Sequence, residues 1–173
     1  ITDVELCEKQ EKLANELSVN VSRILCKSAR DSTYVYISTD QLWNDKKAFV
    51  VESDEPKPIN AYGRSKLAGE ITSLETHTNP LILRTNYFGN GTTWRRSLSD
   101  WVLDNLKESN TVNMYSDIYF TPLAIKHLCN ILIQLATGKA SGIIHLASRD
   151  RISKYEFGIK IAKYFGFSEK FIN

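Results

Sequence analysis

Two side chains with complementary chemistry, a phenol and an ammonium, lie four residues apart in the sequence Tyr62-Gly-Arg-Ser-Lys66. On a helix this spacing places both side chains on one face, one turn apart. The ammonium favours the phenolate, so it makes the hydroxyl a better proton donor near neutral pH. No other tyrosine in the sequence has a lysine four residues after it. The pair is a candidate for acid/base chemistry, although an exposed tyrosine and a lysine paired with Glu70 would explain the same residues.

The helix that would carry this pair is predicted over residues 61–76. Asn60 is a suitable N-cap, and the preceding polar segment contains two prolines that favour an extended chain. Leu67, Ile71 and Leu74 recur at helical spacing and are expected to form the core face. The pair would then lie in the first two turns of the helix.

Two strands are predicted to end close to this helix. The β-branched and aromatic residues 33–38 predict a buried strand, and Thr39 and Asp40 follow it directly. In open α/β sheets the carboxyl ends of the strands form the ligand-binding edge. The polar residues could instead simply end the strand in a turn. A second buried strand, residues 80–85, also ends in polar residues: Thr85, Asn86 and Tyr87.

The rest of the chain alternates between helical and strand patterns. Residues 3–30 have helical periodicity, and their apolar stripe is expected in the core: Leu13, Leu17, Val21, Ile24 and Leu25. Further helices are predicted over residues 94–109, from Pro122 to about 138, and from a Ser153 cap to Gly166, with a short strand at 142–146. The inner positions of these helices include Trp101 and Tyr164. This alternation argues for an α/β fold with a mostly parallel sheet.

Composition excludes several classes of function. The chain has 173 residues, 24% of them charged, and a formal net charge of +2, which does not favour nucleic acid or a membrane surface as a partner. No apolar run approaches the ~20 residues that span a bilayer, and the first residues contain no signal-peptide core. Metal-ligand spacing is absent from the sequence, so we expect reduced thiols, no metal site and a cytoplasmic protein; the residues concerned are Cys7, Cys26, Cys129, His77, His127 and His145.

Three segments carry a family resemblance. Residues 35–40 read Val-Tyr-Ile-Ser-Thr-Asp, and residues 52–70 read Glu-x-Asp-x-Pro-x-Pro-x-Asn-x-Tyr-Gly-x-Ser-Lys-x-x-Gly-Glu. Residues 83–85 read Leu-Arg-Thr. Together they resemble the extended short-chain dehydrogenase/reductases, and within that family the dTDP-4-dehydrorhamnose reductase branch.

The resemblance implies a partial Rossmann-like fold, doubly wound around a mostly parallel sheet. Residues 1–90 would be the C-terminal part of an NAD(P)-binding domain, and residues 91–173 a small α/β substrate-binding subdomain. Gly-x-Gly-x-x-Gly does not occur in the sequence, so the resemblance implies an N-terminally truncated form that lacks the nucleotide-binding half. We expect such a chain to be inactive alone, and to associate with itself or with that half because a sheet edge is exposed.

Site roles follow from the same resemblance. Tyr62 would protonate a sugar C4 carbonyl, Lys66 would assist it and hydrogen-bond the nicotinamide ribose, and Thr39 would hydrogen-bond the reacting oxygen. The hydride would come from NADPH or NADH. The implied cofactor contacts are Ser38, Tyr62, Lys66 and Thr85, and the implied contacts to a nucleotide-sugar substrate are Thr39, Asp40, Asn86 and Tyr87.

Departures from the family pattern concern the substrate side. Tyr87 stands where the family more often has tryptophan, and residues 42–45, Leu-Trp-Asn-Asp, replace the usual Val-Phe-Asp-Gly. Arg95 and Arg96 could bind a diphosphate, or could simply begin a helix in solvent. Two other functions remain open: a sugar-nucleotide epimerase or dehydratase, which the Ser-Thr-Asp spelling disfavours, and a non-catalytic regulatory or binding subunit of the same fold.

Overall fold

A computed structural model describes residues 3–44, 47–92 and 96–173. Its helices in these ranges are α1 (Val4–Lys9), α2 (Glu11–Ser28), α3 (Ala61–Thr76), α4 (Leu98–Lys107), α5 (Ile125–Thr137) and α6 (Lys154–Tyr164), followed by a 3₁₀ turn at Glu169–Phe171. The strands are β1 (Val35–Ile37), β2 (Leu81–Thr85), β3 (Tyr87–Phe88), β4 (Tyr119–Phe120), β5 (Leu123–Ala124), β6 (Gly142–Leu146) and β7 (Ile152–Ser153). None of the described helices has both the length and the apolar character that a membrane span requires.

The chain forms two compact units. The first contains Ile1–Thr85 and Ile131–Leu146, and the second contains Asn86–Asn130 and Ala147–Asn173. The first unit therefore holds the parallel sheet with α1, α2 and α3, and the second holds two short strand pairs with α4 and α6. The assignment of residues 1–90 to cofactor binding and 91–173 to substrate binding stays a prediction.

The sheet of the first unit has the order β1-β2-β6, and both pairings are parallel. The central strand β2 is buried along its whole length, and Leu81, Ile82 and Leu83 have no solvent exposure. Continuous burial of a central parallel strand requires cover on both faces, which explains why its first three residues are all apolar. The predicted α/β fold with a parallel, Rossmann-like sheet is confirmed.

A buried ion pair joins α3 to the central strand. Arg84 of β2 donates through Nε and Nη2 to the carboxylate of Glu70 at 2.8–3.1 Å. The two side chains are 4% and 1% exposed. Glu70 therefore pairs with Arg84, which differs from the lysine pairing considered in the sequence analysis. The pair fixes the middle of α3 over β2, and a forked guanidinium–carboxylate contact has a well-defined geometry.

Helix α2 packs against α3 through small side chains, which corrects two predictions. Residues at every fourth position face inward, namely Ala14, Ser18, Ser22 and Cys26. The predicted apolar stripe is instead 40–63% exposed: Leu13, Leu17, Val21, Ile24 and Leu25. On α3, Ile71 and Leu74 are also exposed, at 47% and 41%. Small side chains allow the two helices to approach closely, so the larger ones are left on the outer face.

The predicted single helix over residues 3–30 is divided in two. Asp3 caps α1 by accepting a hydrogen bond from the Leu6 amide at 2.8 Å, as expected for a helix start. At Gln10 the backbone leaves the helical region, with φ −134° and ψ 49°, before α2 begins. Both α1 and α2 contact α3.

In the second unit, α4 and α6 enclose an apolar core. The buried core residues include Val102, Leu106, Phe157 and Ile161. Each helix begins with a capping box, which confirms Ser153 as a cap. Two predicted inner residues are exposed, Trp101 at 45% and Tyr164 at 84%. The helix predicted from Pro122 begins later, at Ile125, because Leu123–Ala124 pairs with β3 as strand β5.

Gly69 marks a close approach between α3 and β1. A Cβ atom at this position would lie 2.2 Å from the hydroxyl oxygen of Tyr36 and 2.7 Å from its Cζ. Replacing Gly69 with alanine should therefore destabilise the fold by about 1–2 kcal/mol, even though alanine favours helix by about 1 kcal/mol. Urea unfolding at constant pH measures this difference.

A second helical glycine provides a matched control. In Gly158→Ala the new Cβ meets the sulfur of Met114 at 2.5 Å, which is the flexible end of a side chain. This variant should lose less stability than Gly69→Ala, since methionine adapts its rotamer more readily than a buried ring. Equal losses at both positions would show that the Tyr36 contact is not the cause.

Candidate functional site

The first turn of α3 is fixed by two side chains, Asn60 and Glu8. Asn60 accepts a hydrogen bond from the Gly63 amide through Oδ1 at 2.7 Å, which confirms it as the N-cap. The Ala61 amide donates to Glu8 Oε1 at 2.6 Å, so α1 also satisfies the helix start. Tyr62 and Lys66 therefore lie in the first two turns of a well-capped helix, and both side chains are half-buried.

The segment after β1 packs on this helix start. Thr39 is 4% exposed, and its Oγ1 accepts a hydrogen bond from the Gln41 amide at 3.2 Å. Gln41 Oε1 in turn accepts from Asn60 Nδ2 at 2.9 Å. A Cβ at Gly63 would lie 2.2 Å from the Gln41 carbonyl oxygen, so only glycine permits this approach. The structure thus joins the segment that carries Thr39 to the turn that carries Tyr62.

Lys66 has an unusual environment for an ammonium. Its Nζ lies 4.2 Å from the centroid of the Tyr36 ring. Burial lowers the pKa of Lys66 from its ordinary value of 10.5 to about 8, while the Glu70 carboxylate acts in the opposite direction. The amine is therefore mostly charged at pH 7 and loses its proton at a lower pH than an ordinary lysine.

This lowered pKa gives a prediction for stability. Between pH 8 and 10.5 the unfolded chain binds more protons at Lys66 than the folded chain, so folded-state stability must rise with pH over this window. We expect the wild type to gain about 1–3 kcal/mol relative to Lys66→Met between these limits, after allowance for partial exposure. Urea unfolding of both proteins as a function of pH measures the difference, and parallel curves would contradict it.

Two buried hydroxyls lie at the carboxyl edge of the sheet. Ser38 follows β1 and Thr85 ends β2, and each residue is 4% exposed. Within the described ranges, neither Ser38 Oγ nor Thr85 Oγ1 has a hydrogen-bond partner. A buried hydroxyl without a partner loses solvation without compensation, so such groups are suited to a polar ligand. Both residues were predicted to contact a cofactor, and their hydroxyls fit the polar ribose and amide groups of a nicotinamide nucleotide.

The remaining predicted substrate residues are divided between the units. Asp40 is half-buried in the first unit, 3.4 Å from Thr39 Oγ1 through its Oδ1. Asn86 and Tyr87 belong to the second unit, where the Asn86 carbonyl accepts from the Leu123 amide at 3.0 Å. Tyr87 is 52% exposed and lines a cleft of about 410 Å³.

A cation also lines that cleft. Arg96 borders it and pairs with Asp104 on α4. Its predicted neighbour in diphosphate binding, Arg95, lies outside the described residues, as does Asp45 of the substituted loop. Within the described ranges no group of three or more histidine, cysteine, aspartate or glutamate side chains is arranged to hold a metal ion.

Tyr36 was not singled out by the sequence analysis. It lies on β1, and its hydroxyl donates to the Lys66 carbonyl oxygen at 3.3 Å. Tyr34, two residues earlier, contacts α3 in the same way, with its hydroxyl 3.4 Å from Ser73 Oγ. The period of two in a strand places these side chains on one face. That alternation was the signal from which the shared face of Tyr34 and Tyr36 could have been predicted. It does not indicate which residue of α3 each ring contacts.

Comparison with known proteins identifies the family to which this chain is similar. A family model described as RmlD substrate binding domain matches residues 1–173. The probable low-salt glycan biosynthesis reductase Agl14 of Haloferax volcanii is 30% identical over 174 residues, which cover 95% of this chain and 57% of that protein. Methionine adenosyltransferase 2 subunit beta of Rattus norvegicus is 28% identical over 170 residues, covering 93% of this chain and 51% of that protein.

A solved reductase structure has the same fold over almost the whole chain. The dTDP-4-dehydrorhamnose reductase of Bacillus anthracis, solved in complex with NADP, superposes with a TM-score of 0.89 at 26% identity, covering 96% of this chain and 60% of that one. The chain thus spans somewhat more than half the length of the proteins it matches. Because the family model covers every residue, the chain belongs to the RmlD substrate-binding-domain family. Its similarity to a dTDP-4-dehydrorhamnose reductase and to a glycan biosynthesis reductase supports a sugar-nucleotide reductase-like family with a Rossmann-like α/β fold.

Proposed function

We propose that this chain carries the carbonyl-reducing site of an NAD(P)H-dependent reductase that acts on a nucleotide-linked 4-keto sugar. The observation that carries the proposal is the start of α3, where Tyr62 and a partly desolvated Lys66 lie one turn apart. Thr39, in the segment packed on that turn, supplies the third group.

Each of the three side chains has a role in moving or holding a proton. Tyr62 donates its hydroxyl proton to the C4 carbonyl oxygen as that oxygen gains negative charge. Lys66 stabilises the phenolate that remains, because an adjacent cation favours the charged form of a phenol. Thr39 Oγ donates a hydrogen bond to the same substrate oxygen and stabilises its developing charge. The product is the alcohol, in which the transferred hydride has formed the new C–H bond and the proton from Tyr62 the new O–H bond.

The cofactor would be NADP or NAD, and its nicotinamide end would be held near the carboxyl edge of β1 and β2. Ser38, Thr85, Tyr62 and Lys66 would hold it there, and the two partnerless hydroxyls support this placement. A bound dihydronicotinamide supplies the hydride, which no side chain can provide. The printed sequence has no glycine-rich phosphate loop, and a loop of this kind would be needed to hold the pyrophosphate. We therefore infer that the 173-residue chain does not turn over alone.

Nucleotide-linked sugars are the proposed substrates, which agrees with the similarity to the dTDP-4-dehydrorhamnose reductase of Bacillus anthracis. Asp40 and Thr39 would contact the sugar in the first unit. In the second unit, Asn86 and Tyr87 are the proposed contacts, and the cleft beside Tyr87 offers the cationic Arg96 to an anionic group. A guanidinium binds phosphate oxygens through two parallel hydrogen bonds.

The experiment joins this chain to the glycine-rich nucleotide-binding half of a family reductase. NADPH oxidation is then followed spectrophotometrically with a dTDP-4-keto-hexose, and the product is identified by NMR. Net NADPH consumption with formation of the 4-hydroxy sugar supports the proposal. Absence of turnover, while NADPH binding is retained, contradicts it. A sugar that changes stereochemistry or loses water without net NADPH consumption would instead identify an epimerase or dehydratase.

A second candidate function is a non-catalytic subunit. The 28% identity to methionine adenosyltransferase 2 subunit beta favours it, since that relative is named as a subunit of another enzyme. Under this alternative the chain binds a partner enzyme and does not reduce a sugar. Co-purification with a methionine adenosyltransferase catalytic subunit, together with absence of sugar reduction, would support it over the reductase.

A further inference from the structure

Tyr36 and Lys66 are joined at two points. The Tyr36 ring lies beneath the Lys66 ammonium, with 4.2 Å between Nζ and the ring centroid. The Tyr36 hydroxyl donates to the Lys66 carbonyl oxygen at 3.3 Å. One side chain of β1 therefore contacts both the backbone and the charged end of the same residue on α3. Close approach of the helix at Gly69 leaves the ring little freedom to move away.

We propose that Tyr36 is a positioning residue that holds the Lys66 ammonium in place and charged, by presenting its ring face to the cation. The inference deepens the proposed function, because it rests on the role assigned there to Lys66. The attraction arises from the quadrupole of the ring, and it is stronger where the cation has lost part of its water. A ring cannot accept the ammonium proton, so it orients the lysine without neutralising it.

The Glu70 carboxylate also favours the charged form of Lys66, and the Tyr36 ring adds the contact that fixes the position of Nζ. Glu70 lies one turn further along α3, but its carboxylate is bound by Arg84 of β2 in the buried ion pair. Tyr34 lies on the same strand, with its hydroxyl at Ser73, and Tyr62 lies on the preceding turn of α3. Helix α2 contributes the uncharged Ser18, which hydrogen-bonds Tyr36. Burial raises the pKa of Tyr36 far above its usual range, so the phenol stays neutral.

The test measures Lys66 itself and needs no turnover. Only the neutral amine reacts with acetic anhydride, so the labelling rate of Lys66 between pH 6 and 11, resolved by peptide mass spectrometry, gives the pH at which it is half-protonated. The wild-type midpoint is expected near pH 8. In Tyr36→Leu, where the apolar cover remains but the quadrupole is lost, the midpoint should fall by about 0.5–1. Tyr36→Phe keeps the ring face and should keep the wild-type midpoint.

Fluorinated phenylalanines at position 36 keep the test decisive if Tyr36→Leu does not fold. Successive fluorination weakens the quadrupole at nearly constant shape, so the midpoint should fall stepwise. Tyr119→Leu is the matched control, because it removes a ring that faces a different cation, Arg151, at 4.0 Å.

The outcomes are separable from those of the proposed function. An unchanged or raised midpoint in the leucine and fluorinated variants would overturn the inference, as would equal shifts in Tyr36→Phe and Tyr36→Leu. Neither result depends on sugar reduction. Conversely, a failure of the joined protein to reduce a 4-keto sugar would remove the catalytic role of Lys66 without changing the measured midpoints.

Discussion

Replacing Tyr62 with phenylalanine is expected to lower kcat about 10²–10⁴-fold in the joined reductase, because it removes a positioned proton donor and leaves the ring. The helix start does not depend on the lost hydroxyl, since Asn60 and Glu8 satisfy the first amides of α3. KM should change little, because the proton is transferred only in the transition state. Steady-state NADPH oxidation with the 4-keto sugar provides the measurement.

Tyr115→Phe serves as the control for this variant. Tyr115 is 66% exposed in the second unit, so loss of its hydroxyl should leave kcat within about twofold of the wild type. Lys66→Met should lower kcat as well. The double variant should lose less activity than the product of the two single losses, since the effects of residues that act as a unit are not additive. Full turnover by Tyr62→Phe would remove Tyr62 from the mechanism.

Replacing Glu70 with glutamine is expected to destabilise the fold by about 3–5 kcal/mol, because it leaves a buried guanidinium without its compensating charge. Glutamine keeps the size of the side chain, so the loss reports on charge and hydrogen bonding and not on a cavity. For a chain of this length the loss corresponds to a fall in melting temperature of about 6–20 °C. Calorimetry at pH 7 measures it directly.

An exposed pair in the same unit provides the control. Arg64 Nε donates to Glu11 Oε1 at 2.6 Å, but the two side chains are 42% and 50% exposed. Glu11→Gln should therefore cost less than about 1 kcal/mol, although its hydrogen bond is the shorter one. The double variant Glu70→Leu, Arg84→Met should recover most of the stability lost by either single change. A small effect of Glu70→Gln would show that burial does not strengthen this pair.

Local signals in the sequence were sufficient to predict helix starts, where the type of one residue determines the structure. Asn60 and Ser153 were predicted as caps, and both accept the expected amide hydrogen bonds. Helix α3 has the predicted bounds, residues 61–76, and strand β6 covers the predicted residues 142–146. A cap acts within one turn of chain, so its effect can be predicted without knowing the tertiary contacts.

Periodicity alone did not show which face of a helix is covered. The leucines of α2 form a regular stripe, yet Leu13 and Leu17 are 43% and 40% exposed. The buried stripe of α2 consists of smaller residues, such as Ala14 and Ser22, whose hydropathy is unremarkable. Close packing between helices selects for size as well as polarity, and a hydrophobic pattern records only polarity. The roles of Tyr36 and Arg84 were missed for a related reason, because they depend on which element lies opposite.

The ion pair between Glu70 and Arg84 gives a structural reason for two of the residues in the family motif. The segments that carry the family resemblance include Gly69-Glu70 and Leu83-Arg84. None of these four residues is assigned a contact with substrate or cofactor. A lineage that changed one charge of the pair would pass through a form with an uncompensated buried ion before it could change the other. Relatives that differ at one of these two positions are therefore expected to differ at both, because the two charges support α3 only as a pair.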